Sequence, residues 1–364
     1  MRIIPIAKRL MFVALCAVGL LATALAWRSW AAPPGKIDTA ALRVLIEFAA
    51  GQQAEAASSE NNKQFAQWLT QFPAADANGD GVLTQPEALA FIDLIESMQT
   101  TKVRRNLVYR TIDGASLKLD VYLPPNFDQD DDARYPGVLY IHGGGWASGS
   151  KNNTPQVMQL LASHGYVVAS INYRLAPKHT FPAQVEDARA AMAWLAEHAD
   201  DFQIDKQRLA VMGGSAGGHL ALLVGLMDSK TAGDEAPLPP VRAIINIFGP
   251  TDLTTGDWPQ SADSLLVQFM GGSLKDAPRR YRVASPVTYI DRDDPPVLTL
   301  HGTKDPLVPF RQAEILHDRL TAAGVDSQLE AIEGAGHGWG EPDLSRTLRM
   351  TVAFLDKHVK NGHP

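Results

Sequence analysis

From residue 103 onward the chain alternates short, mostly apolar runs with longer amphipathic stretches. The runs Val138–Ile141, Val167–Ile171, Leu209–Met212, Ala243–Ile247 and Val297–Leu300 carry no polar alternation. Strands of a parallel sheet, buried on both faces, read this way. Stretches such as Ala183–His198 and Arg311–Ala323 have helical spacing and would form the crossovers. Val103–Arg110 and Leu117–Leu123 alternate apolar and polar instead, with Asp113-Gly114 between them and Pro124-Pro125 behind. That pattern predicts an antiparallel pair at the start of the sheet. The architecture predicted for 103–362 is α/β: a doubly wound, mostly parallel sheet with helices on both faces. Ligands in such sheets collect outside the carboxyl ends of the strands, so chemical residues should follow the apolar runs.

Residues 33–100 have a different texture. Leu42, Leu45, Ile46 and Ala49 lie at helical spacing, as do Phe65, Trp68, Leu69 and Phe72 in a stretch from about Glu60 to Phe72. A third helix is predicted over Pro86 to Met98. Before it stands Asp76-Ala-Asn78-Gly-Asp80-Gly81-Val82-Leu-Thr84-Gln-Pro-Glu87, a twelve-residue segment, 76–87, that resembles an EF-hand calcium loop. Asp76, Asn78 and Asp80 place side-chain oxygens at positions 1, 3 and 5, and Gly81 sits at the turning position. Val82 offers a carbonyl, Thr84 a hydroxyl, and Glu87 a carboxylate at position 12. The alternative is a polar turn whose Asp and Asn side chains hold backbone amides. With one such loop visible and no ligand pattern in 38–58, the expectation is a single structural Ca2+ site.

At the start of the chain, Arg2, Lys8 and Arg9 precede an uncharged run from Leu10 to Trp27, and Ser29-Trp-Ala31 supplies small residues for cleavage. This is the order of an export signal, so residues 1–31 are expected to be a signal peptide and the protein periplasmic or secreted. The run also reaches the lower limit of a membrane span, which keeps an uncleaved anchor, or a buried helix, as alternatives. Leu15 is too large for a lipoprotein cleavage site ahead of Cys16.

Composition narrows the function classes. The formal charge is −7, and loss of 1–31 would leave 29 basic against 40 acidic side chains, so nucleic acid is not an expected partner. A single cysteine rules out a disulfide framework and a cysteine zinc site.

Chemical residues do follow the apolar runs. After Leu209–Met212 comes Gly213-Gly-Ser215-Ala216-Gly217 and an Ala/Leu-rich stretch. This is a G-x-S-x-G elbow in its strand–turn–helix setting, with Ser215 the candidate nucleophile. After Ile141 comes His142-Gly143-Gly144-Gly145-Trp146, whose amides at Gly143 and Gly144, together with that of Ala216, are candidate oxyanion donors. After Val297–Leu300 stands Asp305, and beyond Gln328–Ile332 stands His337. A serine nucleophile needs a base, and the base needs an orienting carboxylate. Asp252 is the main rival to Asp305, while Asp326 and Glu333 lie very close in sequence to His337. His142, His219 and His301 are expected to be structural.

These motifs, with Asn172-Tyr173-Arg174-Leu175-Ala176-Pro177, resemble the hormone-sensitive-lipase-like branch of the α/β-hydrolases. Leu117–Pro124 and His142–Trp146 look most like bacterial carboxylesterases related to acetyl-xylan and feruloyl esterases. The resemblance covers about 103–360. It implies Ser215 as nucleophile, His337 as base, Asp305 as its partner, Gly143, Gly144 and Ala216 as oxyanion donors, and no catalytic cofactor. The implied substrate is a short-acyl ester, small or carbohydrate-borne. Alternatives are a prolyl-oligopeptidase-like peptidase and a non-catalytic, calcium-dependent binding protein. The family's usual cap is missing, and 253–284 is either a lid or ordinary packing. Trp146, Tyr173 and Trp339 are candidate ring-binding aromatics or pocket walls.

Overall fold

The computed structural model describes residues 39–50, 56–128, 132–228 and 238–361. The expected export segment 1–31 lies outside them. Among the described residues no helix is long and apolar enough to cross a membrane.

The described residues fall into two compact units, those within 1–100 together with 339–350, and those within 101–338 together with 351–364. In the first, α1 (Thr39–Ala50), α2 (Lys63–Gln71) and α3 (Gln85–Thr100) enclose a core that includes Leu42, Ile46, Phe65, Phe72, Leu83 and Ile92. The Asn62 side chain starts α2 by accepting from the amides of Gln64 and Phe65. Arg43 pairs with Asp93 and Glu96, joining α1 to α3.

The second unit is built on an eight-stranded sheet: β1 (Lys102–Ile112), β2 (Ala115–Leu123), β3 (Tyr135–Ile141), β4 (Val167–Ile171), β5 (Ile204–Gly214), β6 (Val241–Ile247), β7 (Val297–Gly302) and β8 (Ser327–Ile332). Their order is β1-β2-β4-β3-β5-β6-β7-β8. β1 and β2 run antiparallel, β2 joins β4 antiparallel, and all remaining neighbours are parallel. Asp113 and Gly114 both have positive φ, the geometry a two-residue hairpin turn demands. β5 starts at Ile204, earlier than its apolar run, because a polar lead-in joins the strand: Arg208 pairs with Asp205 and donates to the Arg134 carbonyl.

The crossovers are α4 (Pro155–Ser163), α5 (Ala183–Glu197), α6 (Ala216–Leu226) and α9 (Arg311–Ala323). Two helices, α7 (Gln260–Met270) and α8 (Pro278–Val283), lie between β6 and β7, and α10 (Asp343–Leu355) follows β8. Parallel crossovers are right-handed, so reversing the direction of travel places helices on opposite faces. The path from β3 through α4 moves towards one edge, and the paths through α5 and α6 move towards the other. Buried Arg189 of α5 donates to the Met227 carbonyl at the end of α6, consistent with a shared face. The direction therefore switches between β3 and β5, and a crevice opens at their carboxyl ends.

Candidate active site

Ser215 follows β5 at the head of α6, with φ +55° and ψ −123°. That conformation is costly for a residue with a side chain and turns the hydroxyl outward. Its amide donates to the Ile247 carbonyl at 2.8 Å, which ties the turn to β6. The flanking glycines are required sterically. A Cβ on Gly213 would meet the Gly217 carbonyl oxygen at 2.2 Å, and one on Gly217 would meet that of Ile141 at 2.0 Å.

His337, in the loop after β8, stands between two partners. The Ser215 hydroxyl donates to its Nε2 at 2.9 Å, and its Nδ1–H donates to Asp305 Oδ2 at 2.6 Å. The imidazole is partly exposed and the Asp305 side chain is fully buried. The amides of Leu307 and Val308 donate to Asp305 Oδ1 at 2.8 and 2.9 Å, fixing the carboxylate plane. Phe248 packs its ring 4.4 Å from that of His337, centre to centre.

The glycine loop after β3 runs beside the elbow. A Cβ on Gly143 would lie 3.3 Å from that of Ser215. Among the described residues, no hydrogen bond uses the amides of Gly143, Gly144 or Ala216. His142 orders this loop: its Nδ1–H donates to the Gly143 carbonyl, and its own carbonyl accepts from the Tyr173 hydroxyl at 3.0 Å. Burial lowers the His142 pKa to about 4 despite the Gly143 carbonyl, so the ring is neutral near neutral pH.

Asp252 is not beside His337. Its carboxylate accepts from the amide and hydroxyl of Thr254. Asp326 faces Lys357 and His358 instead. Buried His301 donates to the Val308 carbonyl at 2.8 Å. In 253–284, Phe269 and Met270 are fully buried in the main core, so that stretch is substantially packing. Trp146, Tyr173 and Trp339 are buried as well, and the Trp339 indole donates to Thr347. Of the two alternatives, burial fits packed walls better than ring-binding surfaces, because large aromatics beside glycine turns fill the space the missing side chains leave. The Asn172–Pro177 segment is an anchor: Arg174 donates twice to buried Asp187, which also pairs with Arg110.

The loop 76–87 belongs to the first unit. Asp76 accepts from the amides of Gly79 and Gly81, both at positive φ, so the chain curls around its carboxylate. Asn78 and Asp80 accept from the amides of Asp80 and Val82. Glu87 Oε2 accepts from the amide and hydroxyl of Thr84 at 3.0 and 2.7 Å. Burial raises the Glu87 pKa, and nearby Asp80 adds to this; hydrogen bonds from Thr84 and Asn78 outweigh both and leave it lowered. Leu83 and Ser59 exchange hydrogen bonds beside a Ser58–Thr84 bridge, so a second, ligand-poor loop backs this one. No three His, Cys, Asp or Glu side chains form a ready-made metal cage among the described residues. The oxygen set instead includes Asn78, Thr84 and a carbonyl, which suits a hard cation.

The BD-FAE family matches residues 119–320, more than half of the chain. Esterase LipC of Mycobacterium tuberculosis is 36% identical over 226 residues, covering 58% of this chain and 55% of LipC. Ethyl acetate hydrolase of Pseudomonas putida is 33% identical over 277 residues, covering 70% of this chain and 82% of that enzyme. Esterase 2 of Thermogutta terrifontis superposes with a TM-score of 0.61 at 27% identity, covering 73% of this chain and 96% of that one. A truncated carbohydrate esterase from gut microbiota shares the fold, with a TM-score of 0.60 at 23% identity, covering 71% of this chain and 98% of that one. The chain spans about half the length of the first curated relatives it matches, LipC, LipQ and LipM. With its mostly parallel sheet and the elbow at the strand ends, the chain belongs to the BD-FAE family of α/β-hydrolase esterases.

Proposed function

We propose that the protein is a serine carboxylic ester hydrolase acting on short-acyl esters, with acetylated or feruloylated carbohydrate among its candidate substrates. The observation that carries this reading is His337, bonded through Nε2 to Ser215 and through Nδ1 to Asp305. His337 takes the hydroxyl proton as Ser215 attacks the ester carbonyl, and Asp305 holds the imidazole in that tautomer. The developing oxyanion is received by the amides of Gly143, Gly144 and Ala216, where the helix N-terminus adds its partial positive charge. Protonated His337 passes its proton to the leaving alcohol. It then activates a water that releases the acid and regenerates Ser215. The chemistry needs no cofactor.

In the same proposal, 76–87 holds one Ca2+ with a structural role, using Asp76, Asn78, Asp80, the Val82 carbonyl, Thr84 and Glu87. Residues 1–31 export the chain, or tether it if left uncleaved.

The test is hydrolysis of p-nitrophenyl acetate, butyrate and octanoate, with acetate release from acetylated xylan, by wild type and Ser215→Ala. Ser215→Ala should lose roughly 10⁴–10⁶ of turnover without unfolding. Retention of a tenth of the activity would refute the assignment. Decay with chain length plus acetate release would place the substrate among acetylated carbohydrates. A preference for longer esters without xylan activity would indicate a general carboxylesterase.

A further inference from the structure

His219 lies one turn along α6 from Ser215, fully buried, and each ring nitrogen has a defined partner. The Trp146 indole N–H donates to its Nδ1 at 3.2 Å, and its Nε2–H donates to the Ala284 carbonyl at 2.7 Å. Burial lowers its pKa to about 4 despite the Ala284 carbonyl, so at neutral pH the ring keeps a lone pair for the indole.

The loop that Trp146 terminates is under backbone strain. Gly144, Gly145 and Trp146 are consecutive positive-φ residues, at +119°, +58° and +57°. For a bulky aromatic that conformation costs free energy and persists only where surroundings over-determine it. Two contacts do so here. The indole stacks on Phe269 of α7 at 4.3 Å and 8°, and its N–H bonds His219. Leu265, on the same helix, sits where a Cβ on Gly145 would meet it at 3.0 Å.

We propose that His219 is a positioning residue: by accepting the Trp146 indole proton, it locks the glycine loop in its oxyanion-binding form and keys that loop to the helix that presents Ser215. The proposal rests on the esterase reading above. Oxyanion donors act only when held in place before the reaction, and a shift of about 1 Å costs on the order of 100-fold. The lock makes no contact with substrate, so its loss should appear in kcat and leave KM alone.

The experiment compares His219→Leu, which fills the space without hydrogen bonds, with His219→Gln, whose amide carries an acceptor oxygen and a donor NH2 group. With p-nitrophenyl butyrate, His219→Leu should lower kcat roughly 10- to 100-fold with KM little changed, and affinity for a trifluoromethyl ketone should fall by the same factor. His219→Gln should restore most of both. Trp146→Phe should reproduce the loss, and combining it with His219→Leu should add nothing further. In indole-labelled protein, the N–H signal missing from Trp146→Phe should resist solvent exchange in wild type and His219→Gln but not in His219→Leu. That signal reads the bond even if the chain hydrolyses no ester, so failure of the esterase reading is distinguishable. Should His219→Leu not fold, Trp146→Phe and His219→Gln still carry the comparison. Unchanged kcat in folded His219→Leu, additive losses in the double variant, or equal indole exchange in all proteins would overturn the proposal.

Discussion

The Nε2 of His301 stands 3.4 Å from Oδ2 of Asp305, the same oxygen that accepts from His337. Burial alone would raise the Asp305 pKa. Hydrogen bonds from His301 and His337, the charge on His337 and the Leu307 amide outweigh it and hold the carboxyl well below its usual range. A depressed carboxyl stabilises the fold fully above its unfolded value of about 3.9, and the gain is lost only as pH falls through the lower folded value. Asp305→Asn should therefore destabilise throughout pH 8 to about pH 5, with the gap narrowing only in stronger acid. Urea melts across that range read it directly, and a gap that already shrinks between pH 8 and pH 6 contradicts it. The same variant should lower kcat roughly 10⁴-fold, since an amide favours the wrong imidazole tautomer.

The strained backbone at Ser215 sets stability against function. Ser215→Gly relieves the positive φ at some cost in chain entropy, for a net gain of about 1 kcal/mol over Ser215→Ala. Both should be inactive. Thermal unfolding of the pair decides the matter, and a Gly variant no more stable than the Ala variant would mean that the turn is unstrained.

Gly217→Ala should cost about 3 kcal/mol or more, because its Cβ would fall 2.0 Å from the Ile141 carbonyl oxygen. Gly324→Ala is the control. Nothing lies within 4 Å of its added Cβ, and only the positive φ opposes it, for about 1 kcal/mol. Equal losses at the two positions would show that backbone approach is not what selects glycine at the elbow.

Calcium should bind to 76–87 with a measurable heat that Glu87→Gln reduces. Saturation to 100 times Kd should add about 2.7 kcal/mol to the stability of the unit that holds the loop. Turnover of p-nitrophenyl butyrate should survive chelation. If chelation abolished turnover while the fold persisted, the structural role assigned to the ion would be wrong.

The sheet was legible because five buried strands carry short, predominantly apolar runs, and the elbow because glycine spacing reports steric closeness directly. The sequence favoured Asp305 and kept Asp252 as its rival, since both follow a strand. What separates them is that Asp305 reaches His337 while Asp252 turns back onto Thr254. The partnerships of His219 with Trp146 and of Arg110 with Asp187 join residues far apart in the chain, and no periodicity encodes such contacts. The same holds for the grouping of 339–350 with the first unit. Phe248 left one signal, a β-strand end followed by Gly249-Pro250, where a positive-φ residue can turn the chain beneath His337.

The nucleophile takes its position from main-chain atoms of its neighbours: the Ile247 carbonyl holds the Ser215 amide, and the Ile141 carbonyl abuts Gly217. Backbone is common to every amino acid. Lineages carrying this elbow can thus exchange most of their interior side chains while the reactive oxygen keeps its address, and sequence identity can decay long before the chemistry moves.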